Sequence, residues 1–185
     1  MFEKYAFIIA MREILTHPTK KFSVRELSRA SKLSVNASKY SLDYLLGKEM
    51  IQLKKIGRTY QYQANMENYL TRQWKVLFNL EDIEKAQIVK NALDTGLDII
   101  SIIIYGSAAI GKDDENSDLD ILILAETTSE KRRELAALSC GTTKEINISV
   151  YSPHEWKQKA NKDRIFYEQA VINSVVLYGE KPVIL

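Results

Sequence analysis

With 185 residues, 45% of them hydrophobic and 27% charged, the chain has an ordinary globular composition and suits one medium domain or two small ones. Its single cysteine, Cys140, excludes an internal disulfide, no Cys/His set has zinc spacing, and no apolar run approaches the ~20 residues of a spanning helix, so the sequence reads as cytoplasmic and without a membrane partner. The net charge of +2 hides an asymmetry: residues 1–75 hold 14 Lys+Arg against 6 Asp+Glu, and residues 76–185 hold 12 against 18, a basic front and an acidic rear suited to different partners.

In chain order, Tyr5, Ile8, Ile9, Met11 and Leu15 form an apolar stripe that predicts a helix over 3–16, stopping before His17-Pro18. Ser23 with Glu26 three residues on is a capping box and starts a helix through Lys32. Ser34 caps a third helix that carries Tyr40, Leu42, Leu45 and Leu46 and ends near Gly47. Residues 50–56 and 59–63 alternate apolar and polar around Gly57-Arg58, which predicts a β-hairpin.

Two short helices joined by a tight turn make a helix-turn-helix unit. The run from Ser34 to Leu46 leading into Met50-Ile51, with the hairpin after it, resembles the winged helix-turn-helix family of DNA-binding domains, over residues 1–65. The resemblance implies that the second helix of the unit enters the major groove of double-stranded DNA. Ser34, Asn36, Ser38, Lys39 and Tyr40 would then face base edges, with Lys54, Lys55, Arg58 and Tyr60 on the wing. Asn suits bidentate readout of adenine, and lysines near a wing tip neutralise phosphates. The same lysines also serve as a solvated edge that blocks strand pairing, and a winged helix can be a protein-protein module.

Residues 66–95 read as a helical connector, two helices divided near Asn79-Leu80 and ended by Gly96. Tyr69, Trp74, Val76, Leu77 and Phe78 are too apolar for a solvated linker, which leaves packing between the parts or a homodimer surface. Residues 96–185 alternate strand, turn and helix: strands at 98–105, 119–125, 146–151 and 175–178, and helices at 129–139, 153–160 and 163–172, with one helical turn at 107–110. The fold class is α+β, and this last part is a small α/β layer with a mixed sheet.

Within that layer stand Gly106-Ser107, nine residues, then Ser117-Asp118-Leu119-Asp120. The strand period of two puts Asp118 and Asp120 on one face, where two carboxylates beside a Gly-Ser turn can hold a divalent cation against a phosphate. This spacing resembles the signature of the nucleotidyltransferase superfamily to which DNA polymerase β belongs. The resemblance implies nucleotide phosphates on Gly106, Ser107 and Ser117, Mg²⁺ or Mn²⁺ on the catalytic Asp118 and Asp120, and attack of an acceptor hydroxyl on a nucleoside triphosphate. Gly111 stands where the family often has a second glycine.

Active members of that family add a third carboxylate from a later strand. The natural register puts Asn147 there, which has no negative charge and cannot act as a base, while Glu145 lies two residues earlier on the same face. Two functions follow: a DNA-binding nucleotidyltransferase, or a DNA-binding regulator whose nucleotidyltransferase fold is catalytically impaired and senses nucleotide or binds a partner. Lys131-Arg132-Arg133 reads as an exposed helix face, His17 and His154 as turn residues, and Cys140 as a small loop or core residue.

Overall fold

A computed structural model describes residues 5–138 and 144–184, so Cys140 and the end of the helix expected to reach residue 139 lie outside the described residues. The chain divides into two compact units, Met1–Lys75 and Val76–Leu185. The division falls at the charge boundary read from the sequence, within one continuous helix. No helix among the described residues is long and apolar enough to cross a membrane.

The first unit holds α1 (Ala6–Thr16), α2 (Val24–Ser31), α3 (Val35–Gly47) and the hairpin β1 (Ile51–Ile56) and β2 (Thr59–Ala64). Ser23 and Glu26 form both bonds of the capping box, and Ser34 Oγ accepts Ala37 N at 3.1 Å, so both helix starts are fixed locally. Between them Lys32 takes a left-handed φ of 57°, which turns the chain tightly from α2 into α3. Met11, Ile14, Phe22, Leu27, Leu42 and Leu45 form the buried interior. Phe22 and Tyr62 exchange both backbone bonds at 2.8 Å and tie β2 to the link before α2. The hairpin pairs Ile51 with Ala64 through Ile56 with Thr59, and its far half is exposed on both faces.

One helix, α4 (Tyr69–Lys85), runs through Asn79-Leu80, where the sequence predicted a break. Asn79 has internal partners for its side-chain amide, so it does not compete with the helical backbone. The break comes at Gln87, which takes a left-handed φ of 54° ahead of α5 (Ile88–Asp94). Of the apolar residues in this stretch, Val76 and Phe78 are buried, while Tyr69 and Leu77 are exposed.

The second unit is built on a four-stranded sheet in the order β5-β4-β3-β6, with β3 (Asp98–Tyr105), β4 (Leu119–Glu126), β5 (Ile146–Tyr151) and β6 (Ser174–Gly179). β3 runs antiparallel to β4 and β6, and β4 parallel to β5, so the sheet is mixed. Both faces are covered, which is why β3 and β4 read as continuous apolar runs. Ile102, Ile104, Leu119, Ile121 and Ile123 pack on one side with Ile83, Ile88 and Leu135, the last from α6 (Ser129–Ala136). Ile103, Leu122 and Leu124 pack on the other with Trp156 and Ala170, from α7 (Pro153–Lys162) and α8 (Arg164–Ile172).

Candidate functional site

Strand β3 delivers the chain to Gly106, whose φ of +74° an L side chain rarely adopts. A Cβ there would also stand 3.2 Å from Asp120 Oδ2, so the missing side chain lets the turn close against that carboxylate. Ser107 opens a 3₁₀ turn, Ala108–Ile110, and its carbonyl accepts Ile110 N at 3.3 Å and Lys112 N at 2.9 Å. Its side chain makes no capping bond. Gly111 ends the turn with a φ of +67°.

The loop that follows is anchored at a carboxylate the sequence reading passed over. Asp113 is buried; Asn79 Nδ2 donates to its Oδ1 at 2.9 Å and to Ala108 O at 3.0 Å, and Lys144 Nζ pairs with its Oδ2 and donates to Asp114 O at 2.7 Å. The Lys144 and Asp113 side chains are 8% and 0% exposed, which makes this a buried ion pair with hydrogen bonds around it. It joins α4, the 3₁₀ turn, the loop and the lead into β5. Its members lie 34 and 31 residues apart in sequence, and no local pattern announces them.

Asp114 shapes the next turn, accepting from Asn116 N and Ser117 Oγ, both at 2.9 Å, while Asp114 N donates to Ser117 Oγ at 3.0 Å. The Ser117 bond, then that of Asn116, holds the Asp114 carboxyl below its ordinary range. Ser117, expected among the nucleotide-binding residues, thus has its hydroxyl engaged by the loop.

Asp120 lies opposite Tyr105 on one side and Asn147 on the other, and Tyr105 lies opposite Ser174, so these four form one row across the sheet. Asp118 precedes β4, and Asn147 Nδ2 donates to Asp118 Oδ2 at 2.9 Å. Burial first, and the charge of Asp118 second, push the Asp120 carboxyl above its ordinary range, against the opposing pull of the Asn147 amide. Tyr105 is raised chiefly by burial, then by Asp120 and Tyr151, while its hydrogen bond with Ser149 lowers it. Glu145 gives its backbone carbonyl to Leu119 N at 2.9 Å, and its side chain is exposed. Among the described residues no group of three or more His, Cys, Asp or Glu is placed to hold a metal. An oxygen-only pair of this kind is chemically able to ligate a hard divalent cation.

On the first unit, Asn36, Lys39 and Tyr40 are exposed on α3, with Tyr40 at 76%, and Ser34 stands at its cap. Ser38 is a correction. It is 0% exposed on the same inner stripe as Leu42 and Leu45, four and seven residues on, and cannot reach a base edge. Lys39 forms an ion pair with Asp43 one turn along. Lys54, Lys55 and Arg58 are exposed on the hairpin, with Lys55 Nζ 5.6 Å from the Tyr60 ring centroid. Lys131 and Arg133 are exposed, whereas Arg132 is bound to Glu155. His17 lies by Glu13 O at 3.3 Å and His154 by Gln158 Nε2 at 2.8 Å, both away from the carboxylate pair in sequence and partner.

Residues 87–182 match the family model described as "Polymerase beta, Nucleotidyltransferase". Among solved structures, the chain is similar to that of a candidate nucleotidyltransferase from Sulfolobus solfataricus, at 19% identity and a TM-score of 0.40, over 63% of this chain and 94% of that one. No curated protein matches the chain at a significant level.

Proposed function

Because the chain belongs to the polymerase beta nucleotidyltransferase family, we propose that its second unit binds a nucleoside triphosphate with Mg²⁺ or Mn²⁺ and transfers the nucleoside monophosphate to an acceptor hydroxyl, while its first unit is a winged helix that binds DNA. The observation that carries the nucleotide site is the contact of Gly106 with Asp120: the phosphate-binding turn and the carboxylate pair are one place, 3.2 Å apart at the missing Cβ. Ser107 supplies a hydroxyl and the Gly106-Ser107 turn its backbone N–H groups to the phosphates. Asp118 and Asp120 would hold the metal, which when bound offsets the negative charge of the triphosphate.

In the transfer, the acceptor oxygen bonds to the α-phosphorus, the bond from that phosphorus to the bridging oxygen of the β-phosphate breaks, and pyrophosphate leaves. The hydroxyl proton passes to solvent, since Asn147 at the third position of the row has no basic oxygen. Incubating the full chain with Mg²⁺ and α-labelled NTPs tests this. Label should appear on an acceptor and vanish with Asp118→Ala and Asp120→Ala; NTP binding that survives both variants would sink the site.

The Asn147 amide on Asp118 favours a second reading, in which the unit binds nucleotide without turnover and acts as a sensor. Asn147→Asp separates the two, raising transfer only where the missing carboxylate limits it. DNA binding rests on the net charge of +8 over residues 1–75 and on Asn36 and Tyr40 standing exposed on α3. Affinity of the full chain for duplex DNA should fall steeply with salt, and a flat response would refute it.

A further inference from the structure

Helix α4 is shared by both units: residues Tyr69 to Lys75 belong to the first and Val76 to Lys85 to the second. Along one face it carries three buried polar residues, Thr71, Lys75 and Asn79, spaced four apart and therefore stacked in a single stripe. Burying polar side chains costs free energy unless they are bonded, and all three are. Thr71 Oγ1 donates to Met50 O at 3.2 Å, Lys75 Nζ to Leu15 O at 2.7 Å, and Asn79 Nδ2 to Ala108 O at 3.0 Å. The first two bonds lie within the first unit and the third within the second.

Each acceptor is a main-chain carbonyl at the edge of an element that matters for binding. Met50 joins α3 to β1: its N–H donates to Leu45 O at 3.0 Å, and its carbonyl also accepts Asn65 N, just past β2, at 3.0 Å. Thr71 thus grips the base of the hairpin beside α3. Leu15 O lies in the last turn of α1, where carbonyls lack helical partners and favour a cation. Ala108 directly follows Ser107, and Asn79 fastens its carbonyl together with Asp113 Oδ1. The 3₁₀ turn so held is weakly closed, with Ile110 N reaching Ser107 O at 3.3 Å, so it is the part most readily tightened by a ligand.

We propose that α4 couples the two units, with Asn79 as a positioning residue for the Gly106-Ser107 turn, so that a nucleoside triphosphate on that turn and duplex DNA on the first unit tighten each other's binding. The proposal rests on the nucleotide and DNA readings above. A filled turn fixes Ala108 O and with it Asn79. Thr71 and Lys75, one and two turns back on the same hydrogen-bonded helix, are then steadied, and the hairpin base loses less freedom when DNA binds. Linkage makes the factor equal in both directions.

The test uses the full chain, Mg-ATP and a mixed-sequence duplex of about 20 base pairs, two helical turns, at matched ionic strength and free Mg²⁺. Saturating Mg-ATP should raise duplex affinity about fivefold or more, and saturating duplex should raise Mg-ATP affinity by the same factor. Thr71→Val, which touches neither ligand, should bring both factors within about twofold of one while Mg-ATP affinity without DNA is unchanged. Asn79→Leu should do the same and weaken Mg-ATP as well. A wild-type factor of one or below, or a factor untouched by Thr71→Val, would overturn the proposal. Hydrogen exchange provides an arm that needs one ligand only: Mg-ATP should slow exchange across residues 50–65, and duplex across 106–113, in wild type but not in Thr71→Val. Should Mg-ATP fail to bind, the nucleotide reading falls and the duplex arm decides the coupling; should the duplex fail, the DNA reading falls and the Mg-ATP arm decides. Neither ligand altering exchange in the opposite unit would overturn the coupling, whichever of them binds.

Discussion

In the first unit, the surface proposed for DNA comes from nearly consecutive residues, the exposed side of α3 and the hairpin that follows it, and each of its side chains stands in solvent with few obligations. The second unit assembles its site from four segments, at Asn79, at 105–107, at 113–120 and at 144–147, and holds them with buried polar groups. A surface of the first kind tolerates substitution with little loss of fold, because water already satisfies it. A site of the second kind ties its chemistry to its stability, because unsatisfied buried groups are costly.

The sharpest way to break that contrast is at Asp113. Asp113→Ala leaves the Lys144 ammonium and the Asn79 amide without their shared acceptor, and the second unit should lose about 3–5 kcal/mol, read by urea unfolding of the full chain. A loss below ~1 kcal/mol would mean that the loop stands without its anchor. On the first unit, Lys39→Ala removes an exposed helix pair and should cost under about 0.5 kcal/mol.

Asp120 offers the next largest effect, with opposite signs on binding and stability. Its carboxyl is held above the ordinary value, so ionising it costs the folded state; the cost is absent in acid and sets in as pH rises through the raised pKa. Asp120→Asn should abolish metal-dependent nucleotide binding and raise Tm at neutral pH, by about 2–4 °C for each kcal/mol relieved, with the gain vanishing in acid. A lower neutral-pH Tm for the variant would refute this.

The proposed DNA binding by the first unit predicts graded losses. Lys54→Ala with Lys55→Ala should flatten the slope of log affinity against log salt by roughly 2. Asn36→Ala should relax sequence preference by about 1–3 kcal/mol at one base pair, and Ser38→Ala should leave affinity unchanged because Ser38 is buried.

A small, pH-dependent effect is expected at Glu155, whose carboxyl is held down to about 2 by Arg132 first and the Ser152 backbone second. A depressed acid stabilises the fold fully above its ordinary value of 4.5, and that contribution fades as pH falls toward 2. The pair is partly exposed, so the contribution is under ~1 kcal/mol. Thermal scans of wild type and Glu155→Gln should differ at pH 6 and converge near pH 2.

The sequence by itself determined what is local. Two Ser caps, an alternating hairpin, two apolar strands and the spacing of Gly106-Ser107 from Asp118 and Asp120 are each written within about fifteen residues, because caps, turns and strand periods act over short stretches of chain. The order of strands and helices in the second unit follows from the same signals, while its mixed pairing, β4 parallel to β5 and β3 antiparallel to β4 and β6, was decided by the tertiary structure. Tertiary structure decided which carboxylates stay free. Asp113, adjacent to Asp114 and equally plain in the sequence, became the buried anchor because Asn79 and Lys144 reach it from distant elements, and Asn79 stayed helical for the same reason. It turned Ser38 inward, engaged Ser117 in the loop, and brought Arg132 and Lys159 to one cleft with Lys162. Those outcomes depend on burial and on partners distant in sequence, and burial sets the cost of every polar group.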